Sequence, residues 1–284
     1  MKKNKTALVL EGGGMRGAYT AGALTWLIDN DIEFDNAYGI STGAVHLCNY
    51  LMKDKVNLKN FSVEYIMDKR LIGLRPFMRC GRIVDYDYMF NEILCNKAGY
   101  TLEPLKDCKV KAGIGLYELD KGMTEYAPVQ ELTINELKAA CTLPIIGKTV
   151  HEKNRDIFDG GITEMIPIKE AMKDGCTRNL VITTKPLDYV RKPAKQIVVD
   201  IMKLAYRKHP KIAEQYKIRH LNYVDQIGII NELVEKKEAL YCYPSEKSNV
   251  TRLGGSYEEL VSLFELGYSD MEKRKESILA LLND

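Results

Sequence analysis

The stretch from Thr6 to Gly17 constrains this chain more than any other: the run Thr6-Ala7-Leu8-Val9-Leu10-Glu11 breaks into Gly12-Gly13-Gly14-Met15-Arg16-Gly17. Its first half is a short apolar run of the kind that forms a buried strand. Its second half strips away side chains where that strand has to turn into a helix. Backbone N–H groups collect at such a junction. Helix geometry leaves them unpaired at the positive end of the dipole, so a ligand docking there is expected to carry negative charge. A nucleotide phosphate fits, and so does the oxyanion of an acyl transfer.

Gly12, Gly14 and Gly17 also spell G-x-G-x-x-G, and Glu33 and Asp35 follow at roughly the 20-residue spacing of a ribose-binding acid in a dinucleotide site. The next element separates the two readings. Asn36-Ala37-Tyr38-Gly39-Ile40-Ser41-Thr42-Gly43 places G-x-S-x-G at the end of a second short strand, with a helix-like run after it. In a dinucleotide fold the ribose acid belongs at that strand's C-terminal tip, whereas Glu33 and Asp35 precede the strand and the tip holds Ser41. Gly39 and Gly43 permit a sharp strand-to-helix turn that lifts a hydroxyl above the sheet edge, beside the glycine-rich turn.

Farther along, strand-like and helix-like segments alternate. Val110 to Leu119 and Met123 to Ala127 read as a hairpin across Asp120-Lys121-Gly122. Thr133 and Glu136 have capping-box spacing at the start of a short helix. His151 to Ile157 reads as one exposed strand leading to the tight turn Asp159-Gly160-Gly161. Ile168 to Lys173 reads as a helix turn, and Asn179 to Thr184 as a buried strand. This alternation argues for an α/β fold with a mainly parallel sheet and helices on both faces. Residues 54–107 are mixed basic and apolar and read either as a helical or looped excursion over the active face or as a solvated connection.

Within residues 191–219, nine Lys and Arg stand against Asp200 and Glu214, a net +7, with apolar residues at roughly helical spacing. A basic amphipathic helix there could lie on anionic lipid headgroups or pack on the core as a solvated helix. Helices are expected from Asn222 to Lys237 and from Tyr257 to Leu282, with a strand from Ala239 to Tyr243. Residues 1–185 read as the catalytic core and 186–284 as a helical part packed on it, within one domain overall.

A chain of 284 residues with 45% hydrophobic and 28% charged residues can bury a large core. A net charge of +2 does not point to nucleic acid, and no zinc-finger spacing occurs. Seven widely spaced cysteines without C-x-x-C fit a reducing compartment. The apolar run after Lys5 is too short for a signal peptide, and no stretch is long enough for a membrane span. A soluble cytoplasmic protein is expected, peripheral to a membrane if residues 191–219 touch one.

Ser41 needs a base. Of the four histidines, His46, His151, His209 and His220, His46 lies within the helix that starts at the elbow and is expected to point away from its tip, and His209 and His220 lie in the basic segment with no motif around them. A Ser41, Asp159 and His209 or His220 triad would follow the chain order of α/β-hydrolases, but those place several strands before the nucleophile and here only one precedes the elbow strand. A carboxylate acting directly is the alternative.

Three motifs resemble those of the patatin-like phospholipases, in the right order: Gly12-Gly13-Gly14-Met15-Arg16-Gly17, Gly39-Ile40-Ser41-Thr42-Gly43 and Asp159-Gly160-Gly161. Leu143-Pro144 resembles the block that precedes the Asp motif, while Tyr189 to Lys192 and Phe264 to Asp270 resemble a bacterial branch of the family. The departure is Cys141-Thr142, where members often carry small Ser or Ala residues.

The resemblance implies a three-layer α/β sandwich and a Ser-Asp dyad of Ser41 and Asp159. It also implies an oxyanion hole at Gly13, Gly14 and Met15, no cofactor, and lipid or other carboxylic esters as substrates. Burial is then expected to raise the pKa of Asp159. Arg16 is expected either in an ion pair or as a fixer of the glycine turn. The two other readings are an oxidoreductase using the G-x-G-x-x-G turn, and a non-catalytic membrane-surface protein.

Overall fold

The computed structural model describes residues 4–283. Among these residues one eight-stranded sheet forms from β1 (Thr6–Leu10), β2 (Asn36–Gly39), β3 (Lys111–Glu118), β4 (Met123–Pro128), β5 (Val150–Glu152), β6 (Arg155–Asp159), β7 (Arg178–Ile182) and β8 (Ala239–Cys242). The order is β5-β6-β3-β2-β1-β7-β8, with β4 also paired to β3. From β3 through β8 the neighbours are parallel; β4, β5 and β6 form the antiparallel pairs.

The helices are α1 (Gly17–Asp29), α2 (Thr42–Leu51), α3 (Lys55–Lys59), α4 (Leu74–Cys80), α5 (Ile134–Cys141), α6 (Ile168–Lys173), α7 (Gln196–Ala205), α8 (Lys211–Glu235), α9 (Tyr257–Lys273) and α10 (Lys275–Asn283). β1 shows why there are three layers. Leu8 and Leu10 enter one apolar cluster with α1, α2 and α9, while Ala7 and Val9 enter another with α6 and α8. A strand buried on both faces reads as a continuous apolar run, as this one does.

α1 is buried almost all round, wedged against α9. The helices touch backbone to backbone: a Cβ on Gly22 would strike the Phe264 carbonyl, and one on Gly267 the Tyr19 carbonyl. Polar ends are matched across the seam, with Tyr19 Oη donating to Asp270 at 3.1 Å and Trp26 Nε1 to Glu272 at 2.6 Å. The C-terminal third therefore adds a strand, β8, and a helix layer to the same sheet.

β3 acts as the ruler that sets the site. β4 covers Gly113 to Glu118 along one edge, so β2 and β6 share the other: Gly39 lies opposite Ile114 and Asp159 opposite Leu116. Two residues of strand are about 6.6 Å. The tips of β2 and β6 thus converge, although more than a hundred residues separate them in the chain.

Four expectations change. His151 to Ile157 is the hairpin β5-β6, turning at Lys153 and Asn154, both at positive φ. The basic segment 191–219 is not one helix: residues 191–195 lie in neither helix nor strand, α7 ends before Tyr206, and α8 starts after Pro210, whose missing N–H and crowding of the preceding residue break the helix. α8 then continues through the helix expected at 222–237. The last helix is divided at Arg274 into α9 and α10. The hairpin β3-β4 and the Thr133–Glu136 capping box stand as read.

Candidate active site

Ser41 sits between β2 and α2 with φ 57° and ψ −129°, a conformation that costs a non-glycine residue about 1–3 kcal/mol. The turn is closed by Gly43 N–H to the Ile40 carbonyl and Ala44 N–H to the Ser41 carbonyl, each at 2.9 Å. Side chains would not fit around it. A Cβ on Gly39 would lie 2.5 Å from the Gly43 carbonyl oxygen, one on Gly43 2.8 Å from that of Glu11, and one on Gly12 2.6 Å from Ser41 Cβ.

Asp159 ends β6 and is 2% exposed. Its N–H donates to the Thr142 carbonyl at 3.0 Å, and Oδ1 accepts from Gly161 N–H at 2.7 Å. Thr124 Oγ1 pins the turn by donating to the Gly160 carbonyl at 2.8 Å. Ser41 and Asp159 line the same cavity, and the Ser41 side chain is one of the groups that stabilise the Asp159 carboxylate. Burial raises the Asp159 pKa above its ordinary value, opposed by the Gly161 N–H, the Ser41 hydroxyl and the charges of Arg219 and Arg252.

Gly12, Gly13, Gly14 and Met15 line the same cavity as Ser41 and Asp159. Two of the three N–H groups of the expected oxyanion hole are engaged. Gly13 donates to Thr42 Oγ1 at 3.1 Å and Met15 to the Arg252 carbonyl at 3.0 Å. Gly14, at φ 60°, has no acceptor for its N–H among the described residues.

Histidines do not enter the pair. His209 Nδ1 lies 3.2 Å from Asp120, and His151 Nδ1 lies 3.0 Å from Asp156. His220 Nδ1 is buried without a partner. His46, expected to point away, reaches the cavity wall, but its Nε2 is 3.2 Å from Ser62 Oγ and burial holds its pKa down to about 3, so the ring is neutral. Asp35 lies at the start of β2, bonded to Thr6 N–H and Oγ1 at 2.9 Å, at the opposite end of the strand from the glycine turn. Glu33 pairs with Lys53 on the surface. Neither acid is where a ribose would need it.

The cavity beside Ser41 and Asp159 has a mainly apolar lining. Residues 54–107 form much of its wall, as expected of an excursion over the active face: Phe61, Ile66, Ile72, Val84 and Met89 supply apolar surface. Cys141, buried and part of the lining, has its thiol pKa pushed up by burial and is not poised as a nucleophile.

Several site residues carry no motif in the sequence. Glu11 is fully buried and accepts from Thr184 N–H at 2.7 Å, Thr184 Oγ1 at 3.0 Å and Lys185 Nζ. Lys185 also faces the rings of Tyr189 and Tyr223 at 5.4 and 5.2 Å, and burial lowers its pKa to about 7. An acid closing an otherwise apolar strand was the available signal for Glu11. Arg191, Arg219 and Arg252 also reach the cavity, from three separate segments. Arg16 is half-buried beside the glycine turn, its Nε without a hydrogen-bond partner.

The class that the fold defines is a three-layer α/β sandwich, a mainly parallel sheet with helices on both faces. The family description "Patatin-like phospholipase" matches residues 8–172, and the chain belongs to that family. Residues 209–283 match a domain of unknown function, DUF6363.

The chain is 27% identical over 193 residues to the uncharacterized protein YjjU of Escherichia coli K12, covering 64% of this chain and 52% of YjjU. It thus spans about half the length of that relative. In structure it is similar to VipD from Legionella pneumophila, with a TM-score of 0.53 and 13% identity over 96% of this chain and 67% of that one. At that identity the likeness is one of fold.

Proposed function

We propose that the protein hydrolyses carboxylic esters of lipids, with Ser41 as nucleophile and Asp159 as base. The observation that carries this reading is the placing of a strained serine and a buried aspartate on one cavity, with no histidine bonded to either among the described residues. Asp159 takes the Ser41 proton as Oγ attacks the ester carbonyl. The tetrahedral oxyanion is met by Gly14 N–H, and by Gly13 N–H once the Thr42 hydroxyl rotates aside. Collapse expels the alcohol, which takes the proton from Asp159. A water, deprotonated by the same carboxylate, then attacks the acyl group, and Ser41 Oγ leaves with that proton from Asp159 as the acid is released.

A carboxylate is a weak base, and an alkoxide leaves with less protonation than an amine does, which favours esters over amides. The apolar wall of Phe61, Ile66, Ile72 and Met89 suits an acyl chain. The surface proposed for contact with a lipid layer is residues 187–204, where Leu187, Val190, Ile197, Ile201 and Leu204 are exposed among lysines and arginines. Turnover of p-nitrophenyl esters of increasing chain length tests the reading. Wild type is expected to hydrolyse them and Ser41→Ala to be at least 10³-fold slower; turnover by the variant at the wild-type rate would end it.

A further inference from the structure

Between the Asp159-Gly160-Gly161 turn and α6, residues 164–167 lie in neither helix nor strand, yet Met165 and Ile166 are buried. Irregular backbone has no ladder to satisfy its polar groups, so when it is buried each N–H and C=O must find a partner elsewhere. Here one side chain serves three of them. Gln226 of α8, 1% exposed, accepts from Met165 N–H and Ile166 N–H through Oε1, both at 3.1 Å, and donates Nε2 to the Thr163 carbonyl at 3.3 Å.

Two turns earlier on the same face of α8, Arg219 donates Nε to the Gly161 carbonyl. Gly161 N–H in turn holds Asp159 Oδ1. The contacts continue into the other half of the site. The Met165 carbonyl accepts from Gly12 N–H at 3.2 Å, and the Arg252 carbonyl from Met15 N–H at 3.0 Å. Helix α8 and the connection from β8 to α9 therefore grip both the turn that presents the carboxylate and the turn that presents the oxyanion donors.

Packing alone does not call for these side chains. Gln226 shares the buried face of α8 with Tyr223, Ile230 and Leu233, which enter an apolar cluster. An apolar side chain would fill that space without desolvating an amide; what the amide adds is an acceptor for two N–H groups and a donor for a carbonyl. Gln226 also lies behind the cavity wall and not in it, so it can act on a bound substrate only through the backbone it holds.

We propose that Gln226 and Arg219 are positioning residues for ester hydrolysis, fixing the glycine turn and the Asp159 turn relative to each other through Met165 and Gly161. This rests on the ester-hydrolase reading above. Both residues fall in the matched region of unknown function, residues 209–283, as does Arg252. The role assigned to that region is to hold the two active-site turns in register.

The test joins ester kinetics to amide hydrogen exchange. Gln226→Met removes all three bonds with little change in length, and kcat on a p-nitrophenyl ester is expected to fall about 10–10²-fold with KM within about twofold of wild type. Gln226→Glu keeps an acceptor for both N–H groups and is expected to recover most of that loss. In Arg219→Met the acid limb of kcat/KM should move to higher pH, because the guanidinium no longer holds the Asp159 carboxylate down. Arg252, Ser41, Tyr86 and Cys141, the other groups whose charge or hydrogen bonding Asp159 feels, are unchanged in that variant. Arg219→Lys, which keeps the charge, should return the limb toward wild type. In both methionine variants the amides of residues 12–15 and 161–166 should exchange faster, while the β3-β4 hairpin keeps its protection.

A wild-type kcat in Gln226→Met, or a loss confined to KM, would overturn the proposal, as would an acid limb that stays in place in Arg219→Met. Faster exchange across the whole sheet would assign the two side chains to general stability and overturn it as well. If the wild type hydrolyses no ester, the hydrolase reading fails, and the exchange results still decide whether α8 holds the two turns. Should Gln226→Met fail to fold, the acid limb and the exchange of Arg219→Met decide the matter.

Discussion

Replacing Asp159 by Asn separates what the carboxylate does for chemistry from what it does for the fold. The amide has the same shape, and its oxygen can still accept the 2.7 Å bond from Gly161 N–H, so the turn that holds it need not move. Its NH2, however, presents a donor to the Ser41 hydroxyl, which then has nowhere in the protein to send its proton. General bases contribute about 10²–10⁴ in rate, and with no histidine at hand to substitute, the upper end applies.

We expect kcat/KM to fall about 10⁴-fold, some 5.4 kcal/mol of transition-state stabilisation. Because the two groups act as a unit, adding Ser41→Ala should cost little more. Stability should move the other way. Burial raises the folded-state pKa of Asp159, so the carboxyl's contribution to stability is fully present below its unfolded pKa of about 3.9 and is lost as pH rises through the folded value. The Asp159→Asn protein is free of that loss, and its Tm should equal or exceed that of wild type near pH 7, with the gap narrowing toward pH 4.

Ester kinetics and thermal melts at several pH values measure both effects. A variant that keeps more than a tenth of the activity, or that melts well below wild type at neutral pH, would refute the reasoning.

In wild type, kcat/KM should rise with pH along an acid limb whose midpoint lies above the roughly 3.9 of an ordinary aspartate; a limb at or below that value would contradict the burial of Asp159. Gly43→Ala would drive a methyl to 2.8 and 2.9 Å from the Glu11 and Leu10 carbonyl oxygens, and should cost about 1–3 kcal/mol in a urea melt along with most of the activity. Lys185→Met strands the buried Glu11 carboxylate and should destabilise by about 3–5 kcal/mol, most of it recovered by adding Glu11→Gln, which keeps an acceptor for Thr184. The same melts check both.

The parts of the fold legible in the sequence are those whose determinants are local. β1 with its glycine turn, the elbow at Ser41, the β3-β4 hairpin and the capping box at Thr133 each carry their instructions within a few neighbouring residues. The β5-β6 hairpin did not, because Lys153 and Asn154 turn the chain at positive φ without a glycine to mark the place. The break between α7 and α8 was marked by Pro210 but obscured by a continuous basic pattern.

The proposed partnership of Ser41 with Asp159 comes from family resemblance; the convergence of the strands that carry them, two strands sharing one edge of β3, is a property of the sheet. The arginines that reach the cavity were illegible for the same reason. Arg219 lies in a stretch that reads as a solvated or lipid-facing helix, yet the fold turns it inward to within reach of Gly161. Thr42 has no signal of its own beside Ser41 in the sequence, yet its hydroxyl occupies one of the expected oxyanion donors.

The most direct test of the central claim is to treat the protein with a fluorophosphonate and locate the adduct by peptide mass spectrometry. A single adduct on Ser41 is expected, absent from Ser41→Ala and formed far more slowly in Asp159→Asn. Labelling of Ser41→Ala at the wild-type rate, or an adduct on any other residue of the wild-type protein, would contradict it.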